Sequence, residues 1–301
     1  MKITALIVTY NRLEKLKKCV AAARLLSFHQ IVIVNNASTD DTQCWLESID
    51  EPNINILNSD TNDGGAGGFY KGAKWISENC ITDWVLFFDD DAYPDIELLN
   101  NFALTNKTDV DAIATKVVDK QGIRCKMNIP WIKFPNTIRD VNKYRAEPNL
   151  FTAVGEECCS IISFSFVGVF INSNVLRNTY QNIDKRLFIY FDDVYYSWFL
   201  VRQGYKIKYE PTLSFIHDIA DRQTVMSPWK IYYLVRNLIW SVHIFGKKKP
   251  FGYTSILIRI FSYLLQTIHS ESKLKYFKAI IMGVWDGVLN KSKISKDGVI
   301  K

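Results

Sequence analysis

Three consecutive carboxylates, Asp89, Asp90 and Asp91, follow directly on the apolar run Trp84-Val85-Leu86-Phe87-Phe88. A buried strand ending in crowded acids places negative charge at a sheet edge, where it is costly unless a cation or hydrogen-bond donors compensate it. Oxygen-rich clusters of this kind suit hard divalent ions, so a metal-dependent site is the first chemical expectation. A second acid pair, Asp192-Asp193, closes the run Phe188-Ile189-Tyr190-Phe191 and precedes a helical pattern carrying Tyr196, Phe199 and Leu200. The positive end of a helix favours carboxylates there, which makes this pair a candidate catalytic edge. Its bland alternative is helix capping.

The elements that must position these acids are legible as a repeating pattern. Ile3 to Val8 reads as a strand, and Leu13, Leu16, Cys19, Val20 and Ala23 supply the apolar face of a helix. The strand Ile31 to Val34 follows, so the chain opens as a βαβ unit. Ser38 or Asp40 is placed to cap a second helix, Ile54 to Leu57 reads as a third strand, and Phe69 to Cys80 as a helix entered through a glycine-rich turn. The predicted class is α/β, with a mixed, mostly parallel central sheet flanked by helices.

In such sheets ligands bind beyond the carboxyl ends of the strands. Three loops converge there: Thr9-Tyr10-Asn11-Arg12, Asn35-Asn36-Ala37-Ser38-Thr39-Asp40, and the acid triplet. The first offers hydroxyls, an amide and an aromatic face for a base or ribose; the second offers amides and a carboxylate for directional hydrogen bonds through groups such as Asn36 and Ser38. Gly64, Gly65, Ala66, Gly67 and Gly68 permit close backbone approach and expose amides near a helix start, suited to phosphate or a hydroxylated sugar. The segment lacks the Gly-Lys-Ser/Thr ending of a Walker A loop. Each loop alone also reads as ordinary turn chemistry, and the glycines as a flexible turn.

With 301 residues and 48% apolar composition, the chain can form one large α/β unit with a smaller appendage. The charge of +6 is spread through both halves, and neither a zinc finger pattern nor a basic recognition helix supports nucleic acid as a partner. Six cysteines without metal-ligand spacing, together with no secretory apolar segment at the start, favour a reducing cytoplasm. No continuous apolar run reaches the roughly 18 residues of a spanning helix. A soluble or peripheral protein is expected.

Taken in order, Val8-Thr9-Tyr10-Asn11-Arg12, Asn35-Asn36-Ala37-Ser38-Thr39-Asp40 and the aspartate triplet resemble the inverting glycosyltransferases of family 2, which have the GT-A nucleotide-diphospho-sugar transferase fold. The resemblance covers roughly residues 1 to 220. The stretch Asn62 to Phe69 is most similar to the Asn-x-Gly-Gly-Ala-Gly-Gly-Phe of galactofuranosyltransferases and some rhamnosyltransferases, which implies UDP-galactofuranose as donor and dTDP-rhamnose as its rival. It further implies that Asp89, Asp91 and His217 hold Mn²⁺ or Mg²⁺, that Asp90 orients donor groups, and that Asp193 is the general base. The residues themselves leave Asp192 open as that base, and His217 open as a structural histidine. Asn35-Asn36 departs from the family, where aspartate holds at least the first position, and Tyr195 stands where many members carry glutamate.

Phe164 to Ile171 is expected to run as a core strand that brings Phe166 and Gly168 toward the sugar, with Asp192, Tyr195 and Trp229 completing an acceptor region. A boundary is expected between Arg222 and Pro228, dividing a catalytic domain, 1–225, from a helical extension, 226–301. In that extension the basic and aromatic run Trp229 to Trp240 either closes an acceptor groove, packs on the catalytic domain, or meets a membrane together with Lys247-Lys248-Lys249. The resemblance implies a glycan or lipid-linked oligosaccharide acceptor, bacterial surface polysaccharide synthesis, and placement at the inner face of the cytoplasmic membrane. A non-catalytic nucleotide-sugar or glycan-binding module and a sugar nucleotidyltransferase are the competing classes. Oligomeric state has no signature here.

Overall fold

A computed structural model describes residues 1–219 and 226–292 of the chain. Its first half alternates strands and helices: β1 (Ile3–Thr9), α1 (Leu13–Arg24), β2 (Gln30–Asn35), α2 (Thr42–Glu47), β3 (Ile54–Asn58), α3 (Gly64–Asn79) and β4 (Trp84–Asp89). The four strands lie parallel in the order β3-β2-β1-β4. Both faces are covered, so successive residues of β1 feed opposite cores: Leu6 and Val8 pack on one side, Ala5 and Ile7 on the other. On α1 the buried set Leu16, Cys19, Val20 and Ala23 follows the helical repeat expected from the sequence, while Leu13 is half-buried.

The sheet continues through β5 (Ala92–Pro94), β6 (Ala112–Val118), β7 (Cys159–Ser160), β8 (Val169–Asn172) and β9 (Ile207–His217), with α4 (Leu98–Leu104), α5 (Ile138–Ala146), α6 (Ser173–Thr179) and α7 (Asp192–Arg202) between them. β8 lies antiparallel to both β4 and β6, β6 runs parallel to β9, and β5 and β7 each pair antiparallel with β9. The expected mixed, mostly parallel GT-A sheet flanked by helices is therefore present.

Two expected boundaries differ. Helix α3 starts at Gly64, five residues before Phe69, so the glycines are helical rather than a turn. A Cβ on Gly68 would lie 2.4 Å from Val8 Cγ1, and its absence lets α3 settle directly on β1. The strand expected from Phe164 is regular only from Val169, because Gly168 turns the chain at φ +75° and a Cβ there would strike Thr115 Oγ1 at 2.2 Å.

Three helices follow: α8 (Pro228–Phe245), α9 (Tyr253–Gln266) and α10 (Lys273–Val288). The expected domain boundary falls largely on residues 220–225, outside the described residues. Helix α8 is buried on nearly every side from Ile231 to Ser241 and shares a third core with Leu187, Phe188 and Tyr195. Its aromatic run therefore packs inside the protein, with α10 laid along it.

Candidate active site

The acid triplet sits where β4 ends. Register places Asp89 opposite Val8, so Asp90 emerges beside the β1 loop and takes hydrogen bonds from Thr9 Oγ1 at 2.8 Å and the Tyr10 amide at 3.4 Å. Arg12 Nη1 bridges Asp90 at 3.2 Å and Asp91 at 2.7 Å, and Lys15 Nζ reaches Asp91 at 3.3 Å. The short strand β5 then carries the chain past β9, pairing Ala92 with His217. That register brings residues 126 positions apart together: His217 Nε2 lies 3.3 Å from Asp91 Oδ1. Burial followed by the charges of Asp91 and Asp90 raises Asp89 to about 7. Burial likewise raises Asp90 to about 6 against the pull of Arg12. For Asp91 burial acts upward too, but His217, Arg12 and Lys15 outweigh it and bring the carboxyl down to about 2. Burial alone would lower His217; its hydrogen bond to Asp91 and the charges of Asp91 and Asp89 instead lift it to about 9.

The second acid pair opens α7, after a loop with an unusual backbone. Phe188, Tyr190 and Phe191 all have positive φ, at 65°, 70° and 66°. Non-glycine residues hold such values only when their surroundings impose them. Here α8 does so: Asn237 Nδ2 donates toward the carbonyls of Leu187, Ile189 and Tyr190 at 2.9, 2.8 and 3.0 Å. Arg236, fully buried, donates to the carbonyls of Arg186 and Leu187 and to Asn237 Oδ1. From the other side, the Ala66 amide donates to the Phe188 carbonyl at 3.2 Å, and a Cβ on Gly64 would overlap that carbonyl. The start of α3 and the loop before Asp192 thus touch.

Asp192 is buried and Asp193 half-buried. Burial, then the neighbouring Asp193 and the more distant Asp89, push Asp192 well above the carboxylate range. Burial raises Asp193 as well, opposed by hydrogen bonds from the Val194 and Phe166 amides and the Ser165 hydroxyl. Ser165 Oγ also accepts from Asn128 Nδ2 at 2.9 Å, and Asn128 Oδ1 lies 2.9 Å from His217 Nδ1. Hydrogen bonds consequently run from Asp91 through His217 and Asn128 to Ser165, whose hydroxyl favours the Asp193 carboxylate. Asn128, Ser165, Lys15 and Asn237 were not singled out from the sequence. None of these four has a local pattern that marks it.

The remaining expected contacts are distributed less simply. Tyr10 is half-buried beside Asp90, and Asn11 donates through its backbone to Ser38 Oγ at 3.1 Å, so the first two loops do meet. Asn36, however, is buried and holds the loop before α3, donating to Asn62 Oδ1 at 3.0 Å and the Gly64 carbonyl at 2.8 Å. Gly67 and Gly68 face protein, whereas Gly65 has open space beside it. Phe166 is packed between Phe69 and Phe87, so only its backbone amide serves the site. Gly168 is a turn glycine. Tyr195 is a correction: it is buried, with its hydroxyl donated to the Asn237 carbonyl at 2.7 Å, because the helical repeat turns it toward α8. It borders a groove of about 510 Å³ with Tyr70, Asp184, Phe199 and Phe245, which none of the acid segments lines. Trp229 is half-buried at the start of α8 and stands edge-on to Tyr233.

A family model described as glycosyl transferase family 2 matches residues 4–167. An undecaprenyl-phosphate mannosyltransferase of Micrococcus luteus is 28% identical over 78 residues, 25% of this chain. The match spans 32% of that relative's length. Among solved structures, Staphylococcus aureus TarS residues 1–349 is similar with TM-score 0.55 and 17% identity, covering 94% of this chain and 81% of that one. GalNAc-T7 with UDP, GalNAc and Mn²⁺ gives 0.59 and 12%, covering 97% and 58%. The mannosyltransferase PcManGT of Pyrobaculum calidifontis, with GDP-Man and Mn²⁺, gives 0.53 and 14%, covering 96% and 88%. At these identities the structural likeness speaks for the fold. With more than half of the sequence inside the family match, and its acids gathered at the carboxyl ends of a GT-A sheet, this chain belongs to glycosyl transferase family 2.

Proposed function

We propose that the chain is a divalent-metal-dependent, inverting glycosyltransferase that moves a sugar from a nucleoside diphosphate to an acceptor hydroxyl. The observation that supports this reading is that Asp192, beside Asp193, feels the charge of Asp89, while hydrogen bonds run from Asp91 through His217 and Asn128 to Ser165 beside Asp193. Asp193 is the base: its carboxylate is favoured by two amides and a hydroxyl, the Val194 amide at 2.7 Å, while burial and the neighbouring Asp193 push Asp192 well above the usual carboxylate range. An ionised Asp193 takes the proton of the acceptor hydroxyl as that oxygen attacks the anomeric carbon from the face opposite the departing diphosphate, which inverts configuration.

Asp89, Asp91 and His217 are the residues that would hold a hard cation, although among the described residues no three acids, histidines or cysteines are already gathered as a cation site. Asp89 is held near neutrality by burial among like charges, a state that a divalent ion relieves, and the carboxylates of Asp89 and Asp91 with the His217 imidazole suit Mn²⁺ or Mg²⁺. When bound, the ion would neutralise charge growing on the leaving diphosphate. Arg12 and Lys15 add fixed positive charge beside the same acids. Thr9, through Asp90, keeps the triplet in place, and Tyr10, Asn11, Ser38 and Gly65 border the space for the nucleotide and sugar.

The preferred donor is UDP-galactofuranose, on the residues Asn62 to Phe69, with dTDP-rhamnose as rival; the local likeness to a mannosyltransferase adds GDP-mannose to the candidates. The preferred acceptor is a lipid-linked glycan presented at the inner face of the cytoplasmic membrane. A product assay with these three donors, Mn²⁺ or Mg²⁺ and a lipid-linked acceptor, followed by determination of anomeric configuration, tests the reading. Inverted product formed by the native protein and lost in Asp193→Asn is the expected result. Retained configuration, or full turnover by Asp193→Asn, would overturn it.

A further inference from the structure

The C-terminal helices carry an apolar surface that the folded core does not use. On α10 the side formed by Tyr276, Ala279, Ile280, Gly283 and Gly287 is buried, and two of these glycines let the helix lie close on α8. The opposite side presents Leu274, Phe277, Ile281, Trp285 and Val288 at intervals of three and four residues. These side chains are exposed, Leu274 to 81% and Trp285 to 64%. On α9 a second stripe, Tyr253, Leu257, Phe261 and Leu265, repeats every fourth residue and is likewise exposed, and Ile268 continues it into the connection with α10. A helical apolar repeat of this regularity marks a face meant to be covered, and exposed apolar patches of this extent mark interaction surfaces. Among the described residues nothing covers it.

Charge identifies the occupant. Lys273, Lys275 and Lys278 are interleaved with the α10 stripe, and Lys247, Lys248 and Lys249 stand in the turn ahead of α9. Residues 246–292 contain eight lysines and arginines against two acids, and one of those, Asp286, is buried on Tyr232. A symmetric contact between two copies through this face would bring two positive rims together. An anionic lipid surface instead accepts both components: apolar and aromatic side chains enter the acyl boundary and lysines meet phosphate headgroups. No helix among the described residues is long and apolar enough to cross a membrane, so the geometry is that of helices lying on one.

We propose that α9 and α10 form a docking face that lies in the headgroup region of an anionic bilayer. The α8 run named from the sequence cannot serve, since Tyr232, Tyr233 and Trp240 are buried and Trp229 is half-buried against Tyr233. In purpose the docking rests on the lipid-linked acceptor proposed above, but binding is measured without donor or acceptor, so either idea can fail alone.

The test is co-sedimentation of the full chain with vesicles of phosphatidylcholine alone and of equimolar phosphatidylcholine and phosphatidylglycerol. Binding to the anionic vesicles is expected, weakened at least about tenfold in Phe261→Ser with Trp285→Ser, because each loses a side chain buried in the acyl boundary. Replacing Lys247, Lys248 and Lys249 by glutamine is expected to weaken the anionic binding and leave the weaker binding to neutral vesicles unchanged. Unaltered thermal melting of these surface variants would establish that they remain folded. Failure of the native chain to bind anionic vesicles, or binding insensitive to the serine pair, would overturn the proposal. So would a lipid-free dimer in light scattering that the serine pair converts to monomer, which would assign the face to a second copy.

Discussion

Replacing Asn237 by alanine probes how the proposed base is held, because this one side chain connects a buried helix to the strained loop ahead of Asp192. Its amide carries two hydrogens, shared among the carbonyls of Leu187, Ile189 and Tyr190. Alanine removes about three hydrogen bonds in a site that water does not reach, two donated by Nδ2 and one that Oδ1 accepts from Arg236 Nε, which with the carbonyls and the guanidinium left short amounts to about 3–5 kcal/mol of stability. The three positive-φ residues cost about 1–3 kcal/mol each to hold, so the restraint lost is of the same order as the strain it opposes. Relaxation of the loop therefore accompanies the loss. Asp192 follows Phe191 directly, and a displacement of about 1 Å at a reacting group lowers turnover on the order of 100-fold. Urea unfolding and steady-state kinetics on the same preparation give both quantities. The expected outcome is a stability loss in that range, kcat down about 100-fold, and a donor KM within about threefold of the native value. A protein destabilised as stated but turning over normally would refute the claim that α8 positions the base.

Turnover should rise with pH through the raised pKa of Asp193, since the protonated acid cannot accept the acceptor's proton; Ser165→Ala removes a donor that favours the carboxylate and should move this limb to higher pH, as a kcat profile at saturating metal would report. An unshifted limb would detach Ser165 from the base. Gly68→Ala drives a methyl into Val8 and should cost about 1–3 kcal/mol in urea unfolding, whereas Gly65→Ala, with open space around it, should leave stability intact and raise the donor KM. Equal donor KM for Gly65→Ala and the native protein would remove Gly65 from the donor site. Asp89→Ala and Asp91→Ala should each abolish the dependence of donor binding on Mn²⁺ in calorimetry, and metal-dependent binding that survives both changes would exclude the proposed ligands.

What the sequence conveyed followed from how each element is buried. Strands β1, β2 and β4 lie under helices on both faces, so their runs are continuously apolar and stand out. The acids at their ends are recognisable because charge directly after such a run has few structural explanations. The onset of α3 was concealed, because glycine is the poorest helix former after proline and here contact with β1 outweighs propensity. The aromatic run of α8 admitted groove closure, packing and membrane contact alike because basic residues interrupt it; it packs, with Arg236 and Asn237 buried and bonded to the loop they restrain. Asn128 and Ser165 act through distance-specific hydrogen bonds to residues 89 and 28 positions away, a relationship that no periodicity encodes.

The support of the Asp192 loop by α8 has a consequence for the order in which the enzyme matures. During synthesis the sheet and its acid triplet are complete once β9 has formed, yet the contacts that impose the three positive φ values arrive only with Arg236 and Asn237. Contacts between segments made far apart in time form late, after the locally organised parts have condensed. A growing chain thus gathers its acid triplet before the loop leading to Asp192 and Asp193 takes its restrained shape, so on the proposed function the base is the last part of the site to be set.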